Sequence, residues 1–143
     1  MAARSSSRTD LALLVLRVGL GGIMIVHGAQ KLFVFGLGGV TTSFTQMGIP
    51  MPHIIGPFIA LLEFLAPIAL FLGLFTRLAA FGLMCDMIGA IYFIHFKNGF
   101  FSPKGFEFPL ALAIGFLALA IAGAGTASVD GKMASRHHSP GSI

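Results

Sequence analysis

Charged side chains are scarce in this sequence of 143 residues. They make up 10% of it, against about 25% in an ordinary soluble domain. Hydrophobic residues make up 56%, and the mean hydropathy is +0.93. A water-soluble core does not account for so large a deficit of charge, so the composition predicts a protein whose solvent is lipid. The net charge of +4 includes no long basic run, which argues against nucleic-acid binding and favours contact with anionic lipid.

Cysteine is almost absent as well. The single cysteine, Cys85, lies inside an apolar run, which excludes an intrachain disulfide, a CxxC redox pair and a cysteine-rich metal site. The sequence also lacks a Ser-His-Asp pattern, a phosphate-binding loop, an HExxH motif and any internal repeat. The common signatures of soluble enzymes are therefore missing, and the apolar runs carry the prediction.

Four apolar runs are long enough to be helices that cross a bilayer, since about 20 helical residues span about 30 Å of hydrocarbon. They cover residues 11–35, 54–75, 78–96 and 108–125. We therefore predict an all-α integral membrane protein, a four-transmembrane-helix bundle. The first run is long and contains Arg17, which favours a retained span over a cleaved signal peptide.

The remaining segments complete the predicted domain organisation. We expect a disordered tail at 1–9, a membrane domain over 10–126 and a polar tail at 127–143. Residues 36–53 contain four glycines and two prolines, which predicts a loop or an interfacial turn of helix.

Four crossings put both termini on one side of the membrane. Five basic residues fall on that side and three on the other: Arg4, Arg8, Arg77, Lys132 and Arg136 against Lys31, Lys97 and Lys104. Because cytoplasmic loops are enriched in Lys and Arg, this bias predicts cytoplasmic N and C termini.

The segment from His95 to Pro109 joins the third and fourth runs and is unusual for a loop. It holds five phenylalanines, two lysines, a histidine and a glutamate. Phenylalanine beside lysine suits a membrane–water boundary, where the ring contacts hydrocarbon and the charge contacts water. We predict a Phe-rich capping loop between helices 3 and 4 that covers the outer mouth of the bundle.

Six ionisable residues lie inside the runs or at their ends, where a charge costs roughly 2.5–3.5 kcal/mol near the bilayer centre. They are Arg17, His27, Glu63, Asp86, His95 and Glu107. A rise of about 1.5 Å per residue sorts them into two layers. The inner layer contains a predicted buried ion pair of Arg17 with Glu63, together with Asp86. The outer layer contains His27, His95 and Glu107, with Lys31 nearby.

Helical phase, at about 100° per residue, indicates which faces point into the bundle. It places Arg17 on one stripe with Gly21, Met24, Gly28 and Lys31, and Glu63 with Gly56, Ala60 and Pro67. It also places Glu107 on an alanine-rich stripe with Ala111, Ala118 and Ala122. Small residues on such stripes favour helix–helix contact.

Asp86 and His95 lie on opposite faces of the third run, nine residues apart. Both face the bundle only if the helix bends or unwinds near its outer end, or if a partner protomer covers one face.

Each assignment has a plainer alternative. The Arg17–Glu63 pair would then only fix helix register, and the two histidines would form hydrogen bonds between helices or bind metal or haem. Glu107 would cap the fourth helix, and the phenylalanines would be packing anchors rather than a ring-binding site. We predict no metal or haem site.

Several short motifs occur in a characteristic order. They are Arg17-Val-Gly19, His27-Gly28-x-x-Lys31-Leu32, Gly48-Ile-Pro50-x-Pro52, Glu63, Gly73-Leu-Phe-Thr76-Arg77-Leu-Ala-Ala80, His95-x-x-Asn98-Gly99-Phe100-Phe101, Gly105-x-Glu107-Phe108-Pro109-Leu110 and Ser128-x-Asp130. Together they resemble the DoxX family of small bacterial inner-membrane proteins, over roughly residues 13–130.

The resemblance implies a four-helix fold in the bacterial inner membrane and a role in redox chemistry. Relatives are linked to a terminal quinol oxidase and to thiosulfate:quinone oxidoreduction. On this basis we predict a quinone-linked redox component, or a subunit of a membrane oxidoreductase complex. Its catalytic residues would be His27, His95 and Glu107, and electrons would come from a redox partner protein.

The quinone pocket would lie beneath the capping loop, and its predicted lining residues are Lys31, Asn98, Phe100 and Phe101. A non-enzymatic membrane scaffold or assembly factor that docks partner proteins is the alternative function. A path for protons or small solutes is a third, and it would require a homo-oligomer because four helices leave little lumen.

Overall fold

The computed structural model describes residues 6–137, and within that range all regular secondary structure is helical. The α-helices are α1 (Ser7–Ala29), α2 (Gly36–Gln46), α3 (Pro52–Leu72), α4 (Thr76–Ala90), α5 (Glu107–Ala122) and α6 (Val129–His137). A π-helical segment, Gln30–Phe35, joins α1 to α2. A second π-helical segment, Ile91–His95, and a 3₁₀ turn, Phe96–Asn98, extend α4.

Three helical segments are long and apolar enough to cross a membrane. They are Ser7–Gln46, Pro52–Leu72 and Thr76–Asn98, of 40, 21 and 23 residues. Helix α5 is apolar too but has only 16 residues. The prediction of an all-helical, membrane-compatible protein is confirmed, while the count of four crossings stays a prediction.

The ends of the chain are more helical than the sequence suggested. The Ser6 side chain accepts a hydrogen bond from the Thr9 amide and so caps α1, and Asp10 lies in the first turn, where a carboxylate complements the helix dipole. The last part of the predicted N-terminal tail is therefore helical, and α6 lies in the predicted polar tail. Residues 1–5 and 138–143 lie outside the described range, so the predictions for Arg4 and the outermost tails concern residues that are not described.

The segment 36–53, predicted as a loop or an interfacial turn of helix, is largely a helix, α2. Gly36 has φ = +70°, which lets the chain turn sharply before α2 begins. The hydroxyls of Thr41, Thr42 and Thr45 donate to carbonyls four residues earlier. Val40 and Phe44 are buried on one face of α2. The glycines thus redirect the helix, while a buried apolar pair on one face holds it against the bundle.

Helices α1 and α3 pack closely and antiparallel through glycine. A Cβ on Gly28 would collide with the backbone of Glu63 and Phe64, and one on Gly21 would lie 3.1 Å from the Pro67 carbonyl oxygen. The predicted stripes on these helices are confirmed: Arg17, Gly21, Met24 and Gly28 are buried on α1, as are Gly56, Ala60, Glu63 and Pro67 on α3.

The predicted stripe on the fourth run is wrong. Ala111, Ala118 and Ala122 are exposed, and α5 buries Leu112, Phe116 and Leu119 instead. These large side chains share a core with Leu83 of α4, and α4 also buries the small Ala79 and Ala80. Large residues on one helix meeting small ones on the other interlock better than two small stripes would.

One end of the bundle ties together distant parts of the chain. Asp10, near the start of α1, accepts hydrogen bonds from the amide and hydroxyl of Thr126, at 3.2 and 2.7 Å. Asp130 accepts from the amides of Phe75 and Thr76, both at 2.9 Å. We call this end, formed by the start of α1, the α3–α4 turn and residues 123–130, the inner end.

Candidate functional site

A pocket of about 370 Å³ lies between α3 and α4. Most of its wall is apolar. Phe44, Ile49 and Pro50, from α2 and the turn after it, contribute to the lining. Gly82 and Gly89 line the α4 side, and their missing side chains leave room there. Helix α2 and the turn after it, within the segment predicted as a loop or an interfacial turn of helix, therefore help to form this pocket.

The mouth of the pocket lies on the outward faces of the two helices. Phe58 of α3 and Phe81 of α4 line it and are 60% and 53% exposed. Cys85, also a lining residue, is exposed. Exposed aromatic side chains on membrane-compatible helices indicate a mouth that opens sideways, toward the hydrocarbon, rather than toward the aqueous ends.

Three ionisable side chains line the deep part of this otherwise apolar space: Lys31, Glu63 and Asp86. The Lys31 Nζ atom lies 2.5 Å from Glu63 Oε2. Glu63 is 4% exposed and Asp86 is 9% exposed. Asp86 also interacts with Glu63, so two carboxyl groups and one ammonium group form a single cluster.

Helix packing explains how Lys31 reaches Glu63. Gly28 lies almost one turn before Lys31 and lets the α1 backbone approach α3 at Glu63 itself. The π-helical segment begins at Gln30 and carries Lys31 in its first turn. Because the α1 and α3 backbones are close together at Gly28, the Lys31 side chain is held within reach of the Glu63 carboxylate.

The predicted Arg17–Glu63 ion pair is wrong. The Arg17 guanidinium donates instead to the carbonyls of Leu70 and Phe71, at 3.3 and 3.0 Å, and to that of Ala127 at 2.6 Å. The last carbonyls of a helix have no partner within it and carry partial negative charge. Arg17 therefore extends toward the inner end and satisfies the C-terminus of α3, while Glu63, two turns away, pairs with Lys31.

The three predicted catalytic residues lie outside the pocket, and no hydrogen bond, ion pair or ring contact joins any two of them. His27 is exposed, and its ring centroid lies 6.4 Å from that of Phe108. His95 Nδ1 lies 2.9 Å from the Lys104 carbonyl oxygen. Glu107 accepts a hydrogen bond from the Ser102 amide at 2.8 Å. Their catalytic role stays a prediction from the sequence.

The α4 extension does change its winding near the outer end, at the π-helical segment Ile91–His95. This is the condition under which Asp86 and His95 were expected to face the bundle together. Asp86 is buried and His95 half-buried, yet His95 contacts the following loop rather than the pocket.

The Phe-rich loop folds onto itself. The Phe106 ring stacks on Phe96 and meets Phe100 edge-on, with centroids 5.8 and 5.3 Å apart. Asn98 donates to the carbonyls of Ile94 and Lys104, and Phe101 is 78% exposed. Of the four residues predicted to bind a quinone, Lys31 lines the pocket, whereas Asn98, Phe100 and Phe101 belong to this loop and do not.

The composition of the cluster also bears on metal binding. In residues 6–137, no group of three or more His, Cys, Asp or Glu side chains is arranged to hold a metal ion.

Asp86 is the pocket residue to which the sequence assigned no role, since its helical phase conflicted with that of His95. The phase it shares with Gly82 and Gly89, which also line the pocket, was the usable signal.

Residues 12–96 match the sequence model of the DoxX family, which is more than half of the chain. The chain belongs to the DoxX family. The matched region contains every residue that lines the pocket of this DoxX protein, from Lys31 to Ile94. Helix α5 and most of the Phe-rich loop lie beyond it.

Two similar proteins add to this comparison. A Haemophilus influenzae protein described as "Uncharacterized protein" is 35% identical over 121 residues, covering 82% of this chain and 87% of its own length. A Bacillus subtilis protein with the name "Putative oxidoreductase CatD" is 32% identical over 112 residues, covering 77% and 79%. No solved structure matches the chain significantly.

Proposed function

We propose that this DoxX protein is a quinone-linked redox component of the bacterial inner membrane, and that a quinone ring occupies the pocket between α3 and α4. The observation that carries this proposal is a mostly apolar pocket with a sideways mouth, in which the half-buried Lys31 forms an ion pair with the buried Glu63. A pocket of about 370 Å³ is in the range of small-molecule sites, which are apolar with a few placed polar groups.

Lys31 supplies the chemistry that a quinone oxygen needs. Its ammonium group carries three donors and forms an ion pair with Glu63, which leaves donors for a carbonyl oxygen of the ring. Negative charge grows on that oxygen as the ring is reduced, and a fixed cation in an apolar site stabilises it far more than water would.

Reduction of a quinone to a quinol takes two electrons and two protons. The single cysteine rules out an internal dithiol as the electron source, so the electrons come from a redox partner protein at the membrane. The word "oxidoreductase" in the name of the Bacillus subtilis relative supports a redox role for the family pocket.

The same proposal includes four crossings, with α5 as the fourth. It is supported by the inner end, where Asp10 of α1 contacts Thr126 and Asp130 contacts the α3–α4 turn. An even number of crossings must separate the start of α1 from residue 126, and α1, α3 and α4 account for three. The described basic residues Arg8, Arg77, Lys132 and Arg136 favour an inner end in the cytoplasm.

A membrane scaffold is the second candidate function. It is favoured by the Phe-rich loop, which closes on itself yet leaves Phe101 78% exposed and both Lys97 and Lys104 exposed. An ordered loop with an exposed ring and two cations could dock a partner protein without any chemistry in the pocket.

Cys85 offers a direct test of ligand binding, because it is the only thiol in the chain and lines the pocket. The protein in lipid vesicles is treated with a membrane-permeant maleimide, with and without ubiquinone and menaquinone analogues whose reactive ring carbons are all substituted. We expect a bound ring to slow labelling at least about fivefold. Lys31→Met should weaken this protection about tenfold, since a hydrogen bond from a charged donor is lost.

Two controls accompany the measurement. Cys85→Ser should abolish all labelling, and Lys97→Met, which removes an exposed lysine outside the pocket, should leave protection unchanged. If no analogue slows labelling at concentrations that saturate the bilayer, the pocket does not bind quinones and the scaffold function is favoured.

A further inference from the structure

Asp86 is a buried carboxyl group that forms no ion pair of its own. It is 9% exposed, and its Oδ2 atom has no hydrogen-bond donor within reach. Glu63, another carboxyl group, interacts with it and lines the same pocket. The proposed quinone chemistry described above assigns Asp86 no role.

The two carboxyl groups have too few hydrogen-bond donors around them for both to be ionised. An ionised carboxylate can only accept hydrogen bonds, so two ionised carboxylates side by side repel each other and leave buried oxygens without partners. A single proton converts one of them into a donor to the other, as in paired catalytic carboxyl groups.

The net charge of the cluster also favours a single proton on the two carboxyl groups. Lys31 contributes one positive charge and lies 2.5 Å from Glu63. With both carboxyl groups ionised, the cluster would carry a net negative charge inside an apolar wall, which is costly. With one proton on the pair, its net charge is zero.

No other ionisable group in the described residues balances the cluster. Around Asp86, the pocket is lined by Lys31 from the π-helical segment Gln30–Phe35 and by Glu63 from α3. Cys85 lines the same pocket from α4 itself. Arg17 is committed to carbonyls at the inner end, and the only ionisable residue of α5, Glu107, bonds to the Ser102 amide.

We propose that Glu63 and Asp86 share one proton at neutral pH, and that this pair is the proton-exchange group of the pocket. The proton itself requires no ligand, whereas its role rests on the proposed quinone function. When a ring oxygen accepts it as the first of the two protons of reduction, the carboxyl O–H bond breaks, an O–H bond forms on the ligand, and the negative charge stays on the pair beside Lys31. The pair then takes up a proton from water and transfers it to the second ring oxygen in the same way. The electrons come from the redox partner protein already named.

Infrared spectroscopy of the protein in lipid, in H₂O and D₂O, tests the proton directly through the C=O absorption of a protonated carboxyl group. The wild type should show this band at neutral pH. Asp86→Asn and Glu63→Gln should each abolish it, because the remaining carboxylate then pairs with Lys31 and ionises. Lys31→Met should about double it, since two buried carboxyl groups without a cation are both neutral.

Asp10→Asn is the matched control, because it removes a carboxylate that accepts hydrogen bonds at the inner end, and it should leave the band unchanged. A wild-type protein without the band, or a Glu63→Gln protein that keeps it at full strength, would overturn the proposal. The near-isosteric Asp86→Asn and the Lys31→Met variants are read independently, so one unstable variant does not decide the result.

The two proposals fail separately. If the band behaves as expected but no analogue protects Cys85, the shared proton stands and the quinone function falls. If analogues protect Cys85 but the wild type shows no band, the quinone function stands and the shared proton falls.

Discussion

Arg17 shows how one residue can be placed correctly on a helix face and still be given the wrong partner. It is 1% exposed and donates to three backbone carbonyls from two separate segments, α3 and the chain after α5. Its hydrogen bonds are therefore directed at backbone carbonyls rather than at Glu63. Such a contact joins three parts of the chain through a single side chain.

Replacing Arg17 by methionine tests this role. The variant keeps most of the side-chain volume but removes the Arg17 donor from all three carbonyls, of which only that of Leu70 keeps another donor within the described residues, the Gly73 amide. We therefore expect a loss of about 3 kcal/mol of stability. Thermal unfolding in detergent would measure it. Arg136→Met, at an exposed position in α6, should change the melting temperature little, and an equal loss in both variants would contradict the assigned role.

The glycine face of α1 decides how two helices meet. Gly28 allows the α1 backbone to touch α3 at Glu63, and it lies three residues before Lys31. Gly22 lies on the same helix, but a Cβ there would meet no atom within 4 Å. Gly28 is therefore required for the contact between α1 and α3, whereas Gly22 makes no such contact.

Exchanging each for alanine separates those reasons. Gly28→Ala should destabilise the protein by about 2 kcal/mol, because a methyl group forces α1 away from α3, and it should weaken the protection of Cys85 by quinone analogues. Gly22→Ala should raise stability by about 0.5 kcal/mol through helix propensity. Equal melting temperatures for the two variants would refute the close contact.

Two helix segments with irregular winding lie at the pocket. The π-helical stretches Gln30–Phe35 and Ile91–His95 both fall in or beside the pocket, with Lys31 in one and Phe93 in the other. Such segments often occur at functional sites because they shift side chains out of the regular helical phase.

The whole molecule is held at its inner end by contacts between sequence-distant residues. Asp130 bonds to two amides at the start of α4, and its own amide donates to the Gly73 carbonyl at 2.9 Å. The carboxylate acts as a helix cap supplied from 54 and 55 residues away. Folding of α4 and the position of the C-terminal segment are therefore coupled.

Asp130→Ala should remove this cap and lower stability by about 1–2 kcal/mol, again measured by thermal unfolding. The loss should appear without any change in the infrared carboxyl band, since the pocket is remote from Asp130. Lys132→Ala removes a nearby exposed side chain and should have little effect. A variant as stable as wild type would show that the contact contributes nothing to the fold.

Much of the fold could be predicted from local pattern. Apolar run length and the scarcity of charge led to an all-helical membrane protein, and helical phase identified the buried faces of α1 and α3. Helix α2 is longer than the predicted loop or turn of helix, because of the glycines in α2 only Gly36 turns the chain. The α5 face was missed because small residues were expected at the contact, while its large residues interlock with small ones on α4.

The candidate site was only partly predictable. Lys31, Glu63 and Asp86 were all recognised as unusual, but Glu63 was assigned to Arg17 and Asp86 was given no role in the site. Residue heights favoured the wrong pairing, because they placed Glu63 in the inner layer with Arg17 and Lys31 in the outer layer. The direction in which a long side chain extends is not encoded in its height, so the sequence did not reveal that Arg17 extends toward carbonyls and Lys31 toward Glu63.

By itself, the amino-acid sequence determined the solvent, the helices and which residues are too polar to face lipid, because each of these follows from composition and periodicity within one segment. The tertiary structure alone decided which polar residues meet. Partners depend on how closely two backbones approach and where a helix changes its winding, and both are properties of pairs of helices. Because Gly28 of α1 packs directly against α3, Lys31 beyond it reaches Glu63, and one cation and two carboxyl groups meet in one pocket.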